Sequence, residues 1–141
     1  MDSASPKTST KDHSGTPVVL VIDDDDYVHQ TLTAALRGVK ATIIRAATAA
    51  EGLTLAHETR PELAIVDVGL PDDDGYSLTR RLRADDSLAG LSILILTGHF
   101  PDEPAARDAG ADGIIGKPFR LHELVDAVTA RLPPPGGNGR R

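Results

Sequence analysis

The 141-residue sequence contains no cysteine and no tryptophan, and it has only two phenylalanines and two tyrosines. Without cysteine the chain cannot form disulfide bonds or use thiol catalysis, and this composition is typical of the reducing cytoplasm, where we expect the protein. No apolar run is long enough to span a bilayer, and the polar segment 1–16 lacks the apolar core of a secretory signal. The absence of such a run leads us to expect no membrane insertion. Because no basic stripe with interleaved aromatic residues is present, we expect no direct binding to nucleic acid.

Acidic charge is concentrated in two short runs. The chain has 21 acidic and 15 basic residues, for a formal charge of −6. The runs 23–26 and 72–74 hold seven of the acids, and the remaining 14 are balanced by the 15 basic residues. Crowded carboxylates repel one another unless a cation lies among them. The charge pattern therefore indicates a local acidic cation site rather than a generally acidic surface.

Short apolar runs alternate with segments of helical spacing between residues 17 and 132. We expect one domain there, a disordered tail over 1–16, and a flexible tail rich in proline and glycine over 133–141. A strand–helix unit repeated five times predicts an α/β fold, a (βα)₅ parallel sheet with helices on both faces. The predicted strands are 18–23, 41–46, 63–67, 92–97 and 114–115, and the predicted helices are 27–38, 48–60, 76–82, 101–111 and 121–132.

Polar side chains follow four of the predicted strands. Asp23 and Asp24 come after the first strand, Asp67 and Thr97 end the third and fourth, and Lys117 comes soon after the fifth. Because the carboxyl ends of parallel strands meet at one edge, where open α/β sheets bind ligands, we expect these side chains in one crevice. The crowded carboxylates should raise at least one of their pKa values when no cation is bound.

Four motifs at these strand ends resemble those of the response-regulator receiver domain of two-component signalling. They are Val-Ile-Asp-Asp at 21–24, Ile-Val-Asp-Val-Gly-Leu-Pro-Asp-Asp-Asp-Gly at 65–75, Leu-Thr-Gly at 96–98 and Lys-Pro-Phe at 117–119. All four occur in the family's order, and the resemblance covers residues 17–132. It implies a stand-alone receiver similar to chemotaxis regulators, with a doubly wound, flavodoxin-like sheet of strand order 2-1-3-4-5.

The resemblance assigns the central chemistry to Asp67, which would accept a phosphoryl group from a phosphohistidine. It also implies a Mg²⁺ site, with Asp24 and Asp67 as direct ligands, Asp23 acting through water, and the backbone carbonyl of Gly69 as a further ligand.

Residues around the acceptor are implied by the same resemblance. Lys117 and Thr97 would each bind an oxygen of the phosphoryl group, and Pro118 resembles a proline that is usually joined by a cis peptide bond. Gly98 and His99 are further neighbours of the pocket. Gly69 and His99 stand at positions that influence the dephosphorylation rate in the family.

Ile114 departs from the family pattern. Many receivers carry tyrosine or phenylalanine three positions before the lysine, and the ring turns inward when the site is phosphorylated. Since isoleucine offers no ring, we expect output through movement of the segment 98–112 and the surface near Ile114.

The resemblance implies a signalling module rather than an enzyme acting on an outside substrate. Its partners would be a sensor histidine kinase or a histidine phosphotransfer protein, and a downstream protein target or an onward phosphorelay. The only reactions it would catalyse are its own phosphorylation and dephosphorylation.

Two alternatives are left open by the residues. A phosphohydrolase of the haloacid-dehalogenase type also uses a strand-end aspartate and Mg²⁺, and the spacing of Asp23 and Asp25 superficially fits its opening motif. That assignment leaves Asp67 and the Lys117–Pro118 pair unexplained. The other alternative is a receiver-like scaffold whose site is never phosphorylated.

The remaining acids in the two runs are expected to be solvated charges. Asp25 or Asp26 is a candidate for the cap of the first helix, and Asp74 with Gly75 is expected to form a turn. Asp72 and Asp73 are expected to be solvated charges and not metal ligands.

Overall fold

A computed structural model describes residues 16–132. The predicted tails 1–16 and 133–141 lie outside these residues except for Thr16, so their state stays a prediction. The strands are β1 (Val18–Ile22), β2 (Thr42–Ala46), β3 (Leu63–Asp67), β4 (Ser92–Thr97) and β5 (Gly113–Gly116). The helices are α1 (Asp26–Ala35), α2 (Ala49–Thr59), α3 (Gly75–Ala84), α4 (Glu103–Ala109) and α5 (Leu121–Thr129), with a 3₁₀ turn at Asp86–Leu88.

The strands form one parallel sheet in the order β2-β1-β3-β4-β5. This order confirms the predicted doubly wound fold. Every residue of β1 and of β3 is buried, as expected for central strands covered on both faces. Alternate side chains enter two different cores, with Leu20 and Ile22 on one face of the sheet and Val19 and Val21 on the other.

Helices close both cores. The first core is covered by α2, α3 and α4, and the second by α1 and α5. The helices bury side chains of different size: α3 buries Leu78 and Leu82, whereas the seven-residue α4 buries only Ala106 and Ala109. Within residues 16–132, no helix has the length and apolar character needed to cross a membrane.

Two helices, α1 and α5, end three residues before their predicted ends. Helix α1 stops at Ala35, and residues 36–38 form a turn in which the N–H of Val39 donates to the carbonyl of Leu36 at 2.8 Å. Helix α5 ends at Thr129 rather than at 132. Apolar side chains beyond a helix end can still pack on the core, so periodicity overestimates helix length there.

Candidate functional site

Polar side chains that are far apart in the sequence meet at the carboxyl edge of the sheet. Four polar or charged side chains are buried within residues 16–132, and three of them, Asp23, Asp67 and Thr97, follow or end β1, β3 and β4. Their exposed fractions are 1%, 7% and 3%. Lys117, which follows β5, extends its ammonium group to the same place.

Asp23, Asp24 and Asp67 form an acidic triad. Each offers a carboxylate oxygen, and these atoms lie within 4.8 Å of one another. Asp24 is exposed to solvent, whereas the other two are buried. The Oδ2 atom of Asp23 is buried and has no hydrogen-bond partner among the described residues. Because a buried carboxylate oxygen without a hydrogen bond is unfavourable and hard divalent cations prefer oxygen ligands, the triad fits a Mg²⁺ ion.

Lys117 is the cation that the chain itself places beside the triad. Its Nζ atom lies 2.8 Å from Asp67 Oδ1 and 3.6 Å from Asp23 Oδ2. Its backbone N–H donates to the carbonyl of Thr97 at 2.6 Å, and the Lys117–Pro118 peptide bond is cis, as the resemblance implies. The loop after β5 is thereby held against the end of β4.

The pKa values reflect burial and the competing charges. Burial raises the pKa of Asp23 most, and repulsion from Asp67 adds to it, while the N–H of Asp25 and the charge of Lys117 act in the opposite direction. The predicted rise of one carboxyl pKa is confirmed, although burial rather than repulsion is its main cause. Burial disfavours the charge of Lys117, but its hydrogen bond to Asp67 and the two nearby carboxylates outweigh this, so the pKa of Lys117 is raised.

Thr97 lies at the start of an exposed loop. Its hydroxyl oxygen accepts a hydrogen bond from the N–H of His99 at 3.1 Å. Gly98 and His99 are exposed, and a Cβ atom on Gly98 would contact nothing within 4 Å. The crevice is therefore open to solvent on the side of this loop.

Gly75 brings helix α3 unusually close to the end of strand β3. A Cβ atom at this position would lie 2.4 Å from the backbone oxygen of Asp67, so no side chain fits there. The carboxylate of Asp74 caps α3 by accepting from the N–H groups of Tyr76 at 2.8 Å and Ser77 at 3.0 Å. The turn predicted at Asp74 and Gly75 is thus the start of α3, which lies against the backbone of Asp67.

Gly69 also contacts Asp67, since its N–H donates to Asp67 Oδ2 at 3.0 Å. The Asp67 carboxylate therefore has the Lys117 ammonium at one oxygen and a backbone amide at the other.

The acids that sequence reasoning treated as solvated charges have defined partners. Asp25 caps α1 by accepting from the N–H of Tyr27 at 2.9 Å, in line with one of the two predicted candidates. Asp26 pairs with Arg45 of β2 at 2.6 Å. Asp72 accepts from two backbone N–H groups of α2, and Asp73 pairs with Arg81 at 2.9 Å. No local signal marks the partners of Asp26 and Asp72, because they lie 19 to 23 residues away.

Ile114 lies on the side of β5 that faces α4. It is half-buried against the first core and borders a shallow groove between α4 and β5.

Comparison with known proteins identifies a family for this chain. The family profile described as "Response regulator receiver domain" matches residues 19–129. The transcriptional regulatory protein PrrA of Mycobacterium leprae is 40% identical over 116 residues, which are 82% of this chain and 50% of PrrA. The chain thus spans about half the length of the curated relatives it matches.

Solved structures agree with this comparison. The chemotaxis response regulator CheY4 of Vibrio cholerae superimposes with a TM-score of 0.77 at 26% identity, covering 83% of this chain and 99% of that one. The receiver domain of the sensor histidine kinase PA1611 of Pseudomonas aeruginosa has a TM-score of 0.73 at 25% identity, covering 82% and 97%. That structure has a magnesium ion coordinated in its active site cleft.

Proposed function

The chain belongs to the response regulator receiver domain family of two-component signalling, and from this membership we propose that it is a phosphoryl-accepting switch whose acceptor is Asp67. The observation that carries the proposal is the contact of 2.8 Å between Asp67 and Lys117, made beside the carboxylates of Asp23 and Asp24. An ammonium group and a cation site on either side of one buried carboxylate are suited to binding the anionic group that this carboxylate would attack.

In the proposed transfer, a carboxylate oxygen of Asp67 bonds to phosphorus while the bond from phosphorus to the donor histidine nitrogen breaks. The electron pair of the broken bond stays with the imidazole. Lys117 would bind one oxygen of the incoming group and the hydroxyl of Thr97 another. A bound Mg²⁺, held by the triad and the carbonyl of Gly69, supplies positive charge that offsets the charge of acceptor and donor.

Asp67 suits the role of acceptor better than its neighbours do. Asp24 is exposed, and Asp23 has one oxygen engaged by the N–H of Asp25 at 2.9 Å and the other buried. Asp67 ends its strand with both oxygens beside groups that stabilise anionic charge, and the crevice opens next to it at Gly98. A haloacid-dehalogenase assignment, which would make Asp23 the nucleophile, is not supported by this geometry or by the family match.

We further propose that output runs through protein contacts near α4 and β5. The segment 98–112 joins Thr97 to α4 and then to β5, and Ile114 lies where α4 packs on the sheet. A hydrogen bond from Thr97 to a phosphoryl oxygen would shift the segment 98–112. The upstream partner would be a histidine kinase or histidine phosphotransfer protein, and the downstream partner a protein that recognises the shifted surface.

The proposal is tested by intact-mass measurement after incubation with a phosphorylated histidine phosphotransfer protein, or with a small phosphodonor, in the presence of Mg²⁺. We expect wild type to gain the mass of one phosphoryl group and Asp67→Asn to gain none, because an amide does not form the acyl phosphate. Asp108→Asn, an exposed change in α4, is the control and should be labelled like wild type.

Two results would contradict the proposal. Equal labelling of wild type and Asp67→Asn would move the acceptor elsewhere. Absence of labelling with every donor would favour the unphosphorylated scaffold.

A further inference from the structure

The loop 68–74, between β3 and α3, is tied to the neighbouring helix α2 by one side chain. Asp72 Oδ1 accepts from the N–H of Ala49 at 2.8 Å, and Asp72 Oδ2 accepts from the N–H of Ala50 at 3.0 Å. These are the first two residues of α2, whose N–H groups have no partner within their own helix. One carboxylate thus caps a helix whose first two residues lie more than 20 residues before it.

The other capping groups of α2 are local, and they leave those two N–H groups to Asp72. The Thr48 hydroxyl accepts from the N–H of Glu51 at 3.0 Å. The Glu51 carboxylate accepts from the N–H of Ala47 at 2.9 Å, one residue before the position that a capping box would use. The two amide hydrogen bonds of Asp72 lower the pKa of its carboxyl. Asp72 therefore remains an anionic acceptor at neutral pH.

Helix α2 is itself fixed to β1. A Cβ atom on Gly52 would lie 2.7 Å from Ile22 Cδ1, so helix and strand are in direct contact. Ile22 is the last residue of β1 and immediately precedes Asp23 and Asp24 of the acidic triad. Any group bonded to the first turn of α2 is accordingly held in a fixed relation to two members of the triad.

The other end of the connection leads to the third member. Asp72 lies three residues after Gly69, whose N–H donates to Asp67 Oδ2 at 3.0 Å. Between them, Leu70 is buried in the first core, and Gly69 and Asp74 form an isolated bridge across the loop. Asp72 thus joins the loop that contacts Asp67 to the helix that packs beneath Asp23 and Asp24.

We propose that Asp72 is a positioning residue for the cation and phosphoryl site. It holds the backbone of the loop 68–74 at the distance from β1 that lets Gly69 and the triad act on one ion. It touches neither the ion nor the phosphoryl group. The inference rests on the proposed function of this site and adds to it a residue that sets Mg²⁺ affinity.

The test compares Asp72→Asn with Asp73→Asn by calorimetric titration with Mg²⁺ alone. Both changes remove one negative charge from the same loop, but Asp73 pairs with Arg81 of α3 and not with α2. The asparagine amide at 72 offers one acceptor and places an NH₂ group against the second N–H. We expect the dissociation constant of Asp72→Asn to be about tenfold higher than that of Asp73→Asn, a typical effect of removing a group that orients a metal ligand.

Phosphorylation kinetics distinguish positioning from a purely structural role. The labelling rate of Asp72→Asn should be reduced at low Mg²⁺ and should recover at saturating Mg²⁺. A role in stability alone would lower the melting temperature and leave the dissociation constant equal to that of Asp73→Asn, which would overturn the inference.

A second variant breaks the same connection from the other side. Ala49→Pro removes the N–H that donates to Asp72 and changes no charge. Proline is favourable at the first position of a helix, and Thr48 already has the extended backbone (φ −135°, ψ 163°) that precedes proline. We expect Mg²⁺ binding about threefold weaker than in wild type, since one of the two bonds remains. Unchanged affinity in Ala49→Pro would overturn the inference even if Asp72→Asn failed to fold.

The wild-type titration separates this inference from the proposed function. A wild type that binds no Mg²⁺ would overturn both. A wild type that binds Mg²⁺ and is phosphorylated, with Asp72→Asn and Asp73→Asn equal in affinity, would overturn the positioning role alone.

Discussion

The carboxylate of Asp23 is buried, and few groups near it stabilise its negative charge. Its side chain is 1% exposed, one oxygen has no hydrogen-bond partner among the described residues, and the ammonium of Lys117 is 3.6 Å away. The raised pKa of Asp23 means that, just above its ordinary value of 3.8, the folded protein holds a proton that the unfolded chain has lost. Stability should therefore fall as the pH rises through the folded-state pKa.

We expect Asp23→Asn to stabilise the protein by about 1 kcal/mol at neutral pH without Mg²⁺, or about 4 °C in melting temperature. The gain should disappear in acid, where the wild-type carboxyl is protonated. Added Mg²⁺ should raise the melting temperature of wild type more than that of the variant, because the ion binds only the folded site. Thermal unfolding at two pH values with and without Mg²⁺ measures this, with Asp108→Asn as control. A variant less stable than wild type without Mg²⁺ would contradict it.

Sequence reasoning at this scale identified residues with strand-end chemistry and missed residues whose partners are distant. Asp67, Thr97 and Lys117 could be selected because each stands at the end of a strand or just after one. Asp72 could not, because its partners are backbone N–H groups that only the order β2-β1-β3 brings near. The approach of Gly75 to the backbone of Asp67 was missed because it depends on how the loop 68–74 folds.

At the scale of elements, α2 is joined to the segment after α3 by a contact that depends on pH. The His57 ring and the Asp85 carboxylate form a short hydrogen bond, and the Asp85 carboxylate also accepts from the Ser87 hydroxyl at 2.6 Å. The hydrogen bond to Asp85 raises the pKa of His57. The Ser87 hydroxyl and then His57 lower the pKa of Asp85 to about 2.

The pKa shifts of His57 and Asp85 have opposite signs, so the pair contributes fully to stability only over an intermediate range of pH. The contribution of His57 is complete below its ordinary pKa of 6.5 and is lost as the pH rises through the raised value. The contribution of Asp85 is complete above 3.8 and is lost as the pH falls towards 2. His57→Gln should therefore lower the melting temperature most near pH 5, by about 1 °C because the pair is exposed to solvent. Melting curves from pH 4 to 9 check this, and a difference that stayed constant across the range would contradict it.

The positions of all five strands and all five helices could be predicted, whereas several ends could not. Apolar periodicity and turn residues locate an element, but its last residue depends on hydrogen bonds such as the one from Val39 to Leu36 after α1. The register between neighbouring strands also could not be predicted from the sequence. It depends on how the side chains of β1 and β3 share two cores at once.

At the scale of the whole molecule, the fully buried central strands β1 and β3 contrast with helix α4, which buries only two alanines. The central strands β1 and β3 are buried along their whole length and carry the acidic triad at or just after their ends.

Helix α4 buries less apolar side-chain surface against the first core than the adjacent α3 does. It buries two alanines, whereas the adjacent α3 buries Leu78 and Leu82, and burial free energy scales with apolar area. We expect backbone amides of α4 to exchange with deuterium at least tenfold faster than those of α3, as measured by NMR. Equal protection of the two helices would contradict this. Because so little apolar area holds it, α4 would need little free energy to change its position on the sheet if Asp67 is phosphorylated as proposed.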